Sequence, residues 1–595
     1  AFFTLAAGDT NAEIQAIERA LAPLLARHRT AILMDQGLWA RVKAVVAKMD
    51  GMPAEDARVT ELARRRFVRA GADLDEAGRE RMGEIQERLA SLGTAFSQNV
   101  IADERDWALE LAPDDTEGLP EALLAAAEAE GRARGRNCPV ITLARSSVEP
   151  FLASTPRREL RETAWRAWTA RGETTNWPII AETLALRAEQ ARLLGFGNYA
   201  DYRLADQMAK TPGAVRDLLM RIWEPARARA LEEEEALAAL ARTDGIERLE
   251  PWDWRYYAER LRRERHALSD AEIKPYLPLD RVIAAAFDVA RRLFGLTFRE
   301  VEGLPLPHPD ARAWEVHRNG TVLGLFIGDY FARPSKRSGA WASGLNPQQR
   351  LWTPERPVIQ NTLNLAKGEP TLLSFDDART LFHEFGHALH GLLSDVTYPS
   401  ISGTRVARDF VELPSQLYEH WLSVPDVLAE HARHHSTGEP MPAEIIERIR
   451  GAETFNQGFQ TVEYLASAIV DMEMHAPEAE GRDPEAIEAE TLARIGMPHA
   501  IAMRHRSPHF LHVFAGAGYA AGYYSYIWSE VMDADAFAAF EEAGDPFDPA
   551  LAARLAETVL SAGGRAEPEE CYVAFRGRMP GIEPLLAGRG LAPAA

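Results

Sequence analysis

His383, Glu384 and His387 stand in the order H-E-x-x-H. On a helix that spacing sets two imidazoles one turn apart and on one side. Two such imidazoles can share a tetrahedral Zn²⁺, with Glu384 beside the metal, where it can take a proton from water. The flanking residues supply the helix. Ser374, followed three residues later by Asp377, makes a capping-box start, and Leu381, Phe385, Ala388, Leu389 and Leu392 recur at helical spacing to give one apolar face. The motif arises by chance in a chain of this length at a rate on the order of a few per cent, and it is one protein ligand short of a catalytic zinc site. Downstream, Glu412 on a second helix with Pro414 near its first turn could be the third ligand, while Asp409 and Glu419 compete on spacing alone. Asp376 and Asp377 could orient a ligand, although helix capping accounts for both. His390 lies too far along the axis to join His383 on one metal and is expected to be packed or to support a ligand.

A second chemical stretch, residues 509–530, is dense in Gly, His and Tyr. Gly516, Gly518 and Gly522 let backbone approach a ligand or hinge. Tyr519, Tyr523 and Tyr526 follow one another at spacings of four and three, so on a helix they share a face. Tyrosine hydroxyls beside a metal can donate to the oxyanion formed when water attacks a peptide carbonyl. An aromatic stripe is more often core than catalytic.

H-E-F-G-H-A-L-H at 383–390, S-G-T at 402–404 and D-F-V-E-L-P-S-Q at 409–416 together resemble the M3 family of zinc metallopeptidases. So do L-L-G-F-x-N-Y-A at 193–200, W-D-W-R-Y-Y at 252–257 and residues 276–299, and the resemblance covers nearly the whole chain. It implies Glu412 as third ligand of a single zinc ion beside His383 and His387. It implies Tyr526 and Tyr523 as oxyanion donors, Tyr519 lining the site, Gly516 and Gly518 near substrate, and His512 as the family's upstream catalytic histidine. The spacing from His512 to Tyr519 is one residue longer than the family pattern, and the chain near 171–177 is a few residues shorter. A-A-G between Tyr519 and Tyr523 resembles the peptidyl-dipeptidase branch. Such an enzyme needs a receptor for the substrate's C-terminal carboxylate, for which His509, Tyr524 and nearby arginines are candidates. The fold implied is mainly α, neurolysin-like and two-lobed, with a small β-sheet and a deep central substrate channel.

The elements that must position these groups are legible in outline. Residues 1 to about 130 read as packing helices, among them 11–28, 54–70 and 74–99. Residues 140–143 read as a short strand. Asn319-Gly320 between alternating apolar runs at 313–318 and 321–328 is a type I′ hairpin signature. Further strands are expected at 339–341 and 357–365; an extended peptide can pair with a free strand edge, although a purely structural sheet fits the residues equally, and the family resemblance implies a substrate platform at Gly339 and Ala340. His431, His434 and His435 read as solvated. The expected organisation is a mostly helical lobe over residues 1–300, interleaved with a catalytic lobe over 301–595.

Composition narrows the function. The chain has 595 residues, 46% hydrophobic and 26% charged, ordinary for a soluble enzyme. A net charge of -22 argues against nucleic acid as a partner. No apolar run has transmembrane length, so no membrane partner is expected. The first residues lack a basic region, although the missing initiator Met points to a truncated or processed start. Two distant cysteines, Cys138 and Cys571, fit a reducing, cytoplasmic setting without disulfides. The resemblance implies a monomer acting on short unstructured peptides and releasing C-terminal dipeptides. The alternatives are an endo-acting oligopeptidase with the same chemistry, or a silent peptide-binding scaffold with structural zinc, which would not need Glu384.

Overall fold

Asn319 and Gly320 adopt φ of 51° and 74° and join two antiparallel strands, Arg312–Arg318 and Thr321–Phe331. The expected hairpin is therefore present, because two consecutive left-handed residues match the twist of the flanking strands. The computed structural model describes residues 2–266, 270–333, 335–337 and 339–592. Among the described residues no helix is long and apolar enough to cross a membrane. The chain forms two units. One comprises Ala1–Asp75, Leu268–Arg450 and Ser525–Leu585, and the other Glu76–Ala267, Gly451–Tyr524 and Leu586–Ala595. This partition differs from two lobes meeting at residue 300: tertiary contacts return the first 75 residues to the unit that carries His383.

The unit carrying His383 holds a five-stranded sheet: β1 (Leu296–Glu300), β2 (Arg312–Arg318), β3 (Thr321–Phe331), β4 (Trp341–Asn346) and β5 (Val358–Leu365), in the order β1-β2-β3-β5-β4. Only β3 and β5 pair in parallel, and β4 lies at one edge. Gly339 and Ala340, expected within the edge strand, instead precede it. Gly339 has φ 94° and its carbonyl accepts from Asn364 Nδ2 at 2.6 Å, a turn conformation that postpones the strand to Trp341. The strand expected at 140–143 shortens to Val140–Ile141, in the other unit.

Helix α1, Phe375–Leu392, carries His383 and His387. Its predicted capping box is formed: Ser374 Oγ accepts from the Asp377 N–H at 3.1 Å, and Asp377 Oδ2 accepts from the Ser374 N–H at 3.0 Å. Phe385 fixes its rotation by inserting among Phe326, Phe287, Phe298 and Tyr418, with ring centroids 5.2–5.7 Å away. Two glycines then let neighbours close in, a side chain at Gly391 and backbone at Gly386. A Cβ on Gly391 would meet Ile359 Cδ1 of β5 at 2.6 Å. One on Gly386 would lie 2.5 Å from the Pro414 carbonyl oxygen and 2.6 Å from Ser415 Cα. Those two residues open α3 (Leu413–Glu419), which follows the single turn α2 (Arg408–Val411). Helix α4, Ser525–Ala543, packs on both, with Ser529 Oγ donating to the Asp409 carbonyl at 3.0 Å.

In the second unit, helices Pro212–Thr243 and Gln457–Met474 pack closely enough that a Cβ on Gly458 would sit 2.4 Å from the Ala230 nitrogen. Glu233 of the first helix accepts from the Gly458 and Phe459 N–H groups at 3.1 and 2.9 Å, capping the second.

Gly386→Ala is expected to cost about 1–3 kcal/mol, because the added methyl meets backbone rather than a movable side chain. Denaturant unfolding measures it, and a variant as stable as the parent would show that α3 is free to shift.

Candidate functional site

Glu412 lies at the junction of α2 and α3, where Pro414 occupies the first turn and Ser415 Oγ donates to the Glu412 carbonyl at 2.8 Å. The close approach at Gly386 delivers its carboxylate to α1. Glu412 Oε2 is 3.3 Å from His383 Nε2 and 3.2 Å from His387 Nε2. These three donors form a group that could hold a metal ion. Their separations fit that use better than a plain ion pair. Ligands around a tetrahedral zinc lie roughly 3.3 Å apart, whereas a charge-assisted N–H···O bond is about 2.7–2.9 Å. His383 makes a bond of the latter kind elsewhere: its Nδ1 lies 2.7 Å from Glu419 Oε1, which fixes the tautomer and turns Nε2 toward Glu412 and His387.

Without a cation, charge in the cluster is settled by protons. Burial opposes a charge on His383, but Glu412 and Glu419 outweigh it and push the imidazole up to about 10. Burial also works to raise Glu412, yet His383 and His387 hold it well below the usual carboxylate range. A divalent ion would take the place of those protons. Glu384 is 5% exposed, and burial raises its pKa although both imidazoles pull it down. Its Oε2 has no hydrogen-bond partner. An unpartnered, basic carboxylate oxygen one residue from the donor set is what a proton acceptor for water requires. The residues present fit a catalytic divalent metal.

The rivals separate cleanly. Glu419 touches His383 rather than joining the donors, Asp409 is fully buried beneath α4, and Asp377 caps α1. His390 is fully buried with neither ring nitrogen bonded, and burial takes its pKa down to about 3, so it packs as a neutral ring. His431, expected to be solvated without an acidic partner, lies 3.4 Å from Asp288 Oδ2. That carboxylate is also paired with Arg291. Next to His387, residues of β4 (Ala342, Ser343 and Gly344) and of 402–405 border a hollow of about 160 Å³.

The Gly/His/Tyr stretch departs from expectation. Residues 515–524 are turns and bends, so only Tyr526 is helical, in the first turn of α4, and the three tyrosines share no helix face. The cause is Asp471, buried in helix Gln457–Met474 of the second unit. Its carboxylate accepts from the N–H groups of Ala521, Gly522 and Tyr523 at 2.9, 2.9 and 3.1 Å, with Ala521 at φ 47°. An acidic residue inside the apolar run 465–474 was the signal for this anchor. Tyr523 is 4% exposed, and burial pushes its phenol up to about 12. Its ring packs against those of His512 and Tyr464 at 5.3 and 5.1 Å, and His512 also meets Tyr519 at 5.9 Å. The Gly516 and Gly518 carbonyls accept from Arg187 and Arg203 at 3.0 and 3.1 Å. Tyr524 is fully buried and His509 is 5% exposed.

Comparison with known proteins agrees with this chemistry. The model of peptidase family M3 matches residues 151–591. The chain is 39% identical to the dipeptidyl carboxypeptidase of Salmonella typhimurium, over 99% of this chain and 89% of that protein. It is 35% identical to oligopeptidase A of Escherichia coli, over 97% and 88%. The fold resembles PZ peptidase A (TM-score 0.55, 14% identity, 99% of this chain and 89% of the other) and the M32 carboxypeptidase of Deinococcus radiodurans (TM-score 0.55, 15%, 99% and 94%). With its donor cluster and a family match across most of its length, the chain belongs to peptidase family M3 and is a metallopeptidase.

Proposed function

We propose that the protein hydrolyses short unstructured peptides with one zinc ion held by His383, His387 and Glu412, and that it releases dipeptides from the C-terminus. The observation that carries the reading is the convergence of the three donors, Glu412 lying 3.3 and 3.2 Å from the two imidazoles, beside the unpartnered Glu384 oxygen. The dipeptidyl carboxypeptidase of Salmonella typhimurium supports the product, and oligopeptidase A, similar at 35% identity, keeps endo-cleavage as the second reading.

When bound, zinc would supply Lewis acidity that polarises the scissile carbonyl and lowers the pKa of water. The chain's own groups do the rest. Glu384 accepts the proton of the attacking water on its Oε2 and delivers it to the departing amine nitrogen, so the base of the first half becomes the acid of the second. Glu419 keeps the proton on His383 Nδ1 and the lone pair on Nε2. The edge of β4 offers an extended substrate backbone to pair with, Gly339 and Ala340 leading into it. Tyr526, on a helix packed against α2 and α3, donates its hydroxyl to the tetrahedral oxyanion. Tyr523, His512, Tyr519, Gly516 and Gly518 are carried as substrate and transition-state contacts on the family resemblance.

Glu384→Gln should bind zinc normally while kcat falls about 10²–10⁴-fold, as expected for loss of a general acid–base. Kinetics and metal analysis of one preparation check this, and zinc loss or near-normal turnover would contradict the role. Tyr526→Phe should lower kcat about 10²–10³-fold, and an unchanged kcat removes it from the mechanism. Mass spectrometry of an unstructured decapeptide, with and without chelator, reads the product. A chelator-sensitive ladder losing two residues at a time from a free, but not an amidated, C-terminus is expected. Internal fragments would favour endo-cleavage, and zinc-loaded protein that cuts nothing would favour a scaffold.

A further inference from the structure

Arg187, His475 and Asp471 are buried in the unit containing Glu76–Ala267 and Gly451–Tyr524, and the hydrolytic steps above use none of them. They form one chain of hydrogen bonds. Arg187, in helix Trp177–Leu193, places Nη1 3.0 Å from His475 Nε2. A guanidinium only donates, so Nε2 is the accepting nitrogen and the ring proton sits on Nδ1. Nδ1 donates to the Asp471 carbonyl at 2.8 Å and lies 3.2 Å from Asp471 Oδ1. Both ends of the chain grip the glycine-rich segment. Arg187 Nη2 donates to the Val513 and Gly516 carbonyls at 2.6 and 3.0 Å, and the Asp471 carboxylate accepts from the N–H groups of Ala521, Gly522 and Tyr523. Between them Arg203 donates to the Gly518 and Ala520 carbonyls at 3.1 and 3.3 Å. Every one of these bonds to the segment is to its main chain, so together they fix its path.

A second observation shows where that path is held hardest. Ala521 has φ 47°, a left-handed conformation in which its Cβ is crowded. A residue with a side chain stays there only when its surroundings over-determine it, and such strain collects at functional sites. Two positions on is Tyr523, whose main chain is fixed on both sides. Its N–H donates to Asp471 Oδ2 at 3.1 Å, and its carbonyl accepts from the Tyr464 hydroxyl at 2.6 Å. The Tyr464 ring also packs on the Tyr523 ring, with centroids 5.1 Å apart.

We propose that Asp471 and Tyr464 are positioning residues for peptide hydrolysis that act through Tyr523, with Arg187 and His475 bracing Asp471. In this role they touch no reacting atom. They hold the Tyr523 main chain so that its phenol is presented already ordered, rather than being ordered anew at each turnover. The proposal rests on the reading of Tyr523 as a transition-state contact.

A double-mutant cycle on the zinc-loaded, full-length protein tests it, with the unstructured decapeptide as substrate. Asp471→Asn is nearly isosteric, but whichever way the amide turns, its NH2 faces at least one of the three N–H groups. It should lower kcat about 10–10²-fold, the upper value being the scale of a misplacement of about 1 Å. Tyr464→Phe keeps the ring and removes one donor, and should lower kcat about two- to tenfold, the scale of one neutral hydrogen bond. In a Tyr523→Phe background both losses should shrink toward unity, because the hydroxyl being positioned is gone. A merely structural role would give the same loss in either background. By amide hydrogen exchange, Asp471→Asn should speed exchange at Ala521, Gly522 and Tyr523 and leave β3 and β5 as protected as in the parent. Tyr464→Phe carries the cycle if Asp471→Asn fails to fold. Equal losses in both backgrounds, an unchanged kcat in both single variants, or unaltered exchange at 521–523 would each overturn the proposal. Equal losses beside an impaired Tyr523→Phe protein would leave the reading of Tyr523 standing. A Tyr523→Phe protein as active as the parent would overturn that reading, and the proposal with it.

Discussion

The absence of a side chain at Gly386 governs the cluster of His383, His387 and Glu412. Helix α1 can be pressed against the first turn of α3 until backbone meets backbone, and Glu412, at the head of that turn, then reaches both histidines. Any Cβ there would have to displace the Pro414 carbonyl or the Ser415 backbone, neither of which can swing aside. Phe385 works with this contact. Its ring, wedged among four aromatic neighbours, sets the rotation of α1 so that His383 and His387 turn toward Glu412. Packing complementarity at two adjacent residues thereby brings the three donors together.

Charge in this centre is arranged to be completed. Two imidazoles and one carboxylate converge, while Glu419 faces only the far nitrogen of His383 and Glu384 keeps an oxygen unpartnered. Buried groups in such proximity are tolerable when protons or a cation bind them together, and a divalent ion satisfies all three donors at once. The second unit solves the same problem differently. Asp471 accepts from three backbone N–H groups of the turn at 521–523, so one buried carboxylate anchors a glycine-rich segment. The arginines bordering a cavity of the second unit are a third solution, in which Glu149 and Glu463 are each shared between two guanidiniums.

Much of this was legible from local chemistry. The H-E-x-x-H helix, its capping box and the Asn319-Gly320 hairpin depend on residues within a few positions of one another, and the structure has all three. Local signals misled where a distant group intervened. Tyr519, Tyr523 and Tyr526 have helical spacing, but Asp471, some fifty positions away, takes the N–H groups a helix would need. His431 looked solvated because Asp288, its partner, is remote in sequence.

The sequence by itself determined the donor types, the helix that bears two of them, the turn between β2 and β3, and the family to which the chain belongs, because each is carried by residue identity at short range. Spacing alone left Glu412, Asp409 and Glu419 open and the family resemblance pointed to Glu412; the tertiary structure is what brings the Glu412 carboxylate to His383 and His387. It also decided the division into units, the role of Glu419 as partner of His383, and the clustering of arginines drawn from residues 145, 171, 255 and 504. Those outcomes join residues tens to hundreds of positions apart, where pairing is selected by packing and burial rather than by local propensity.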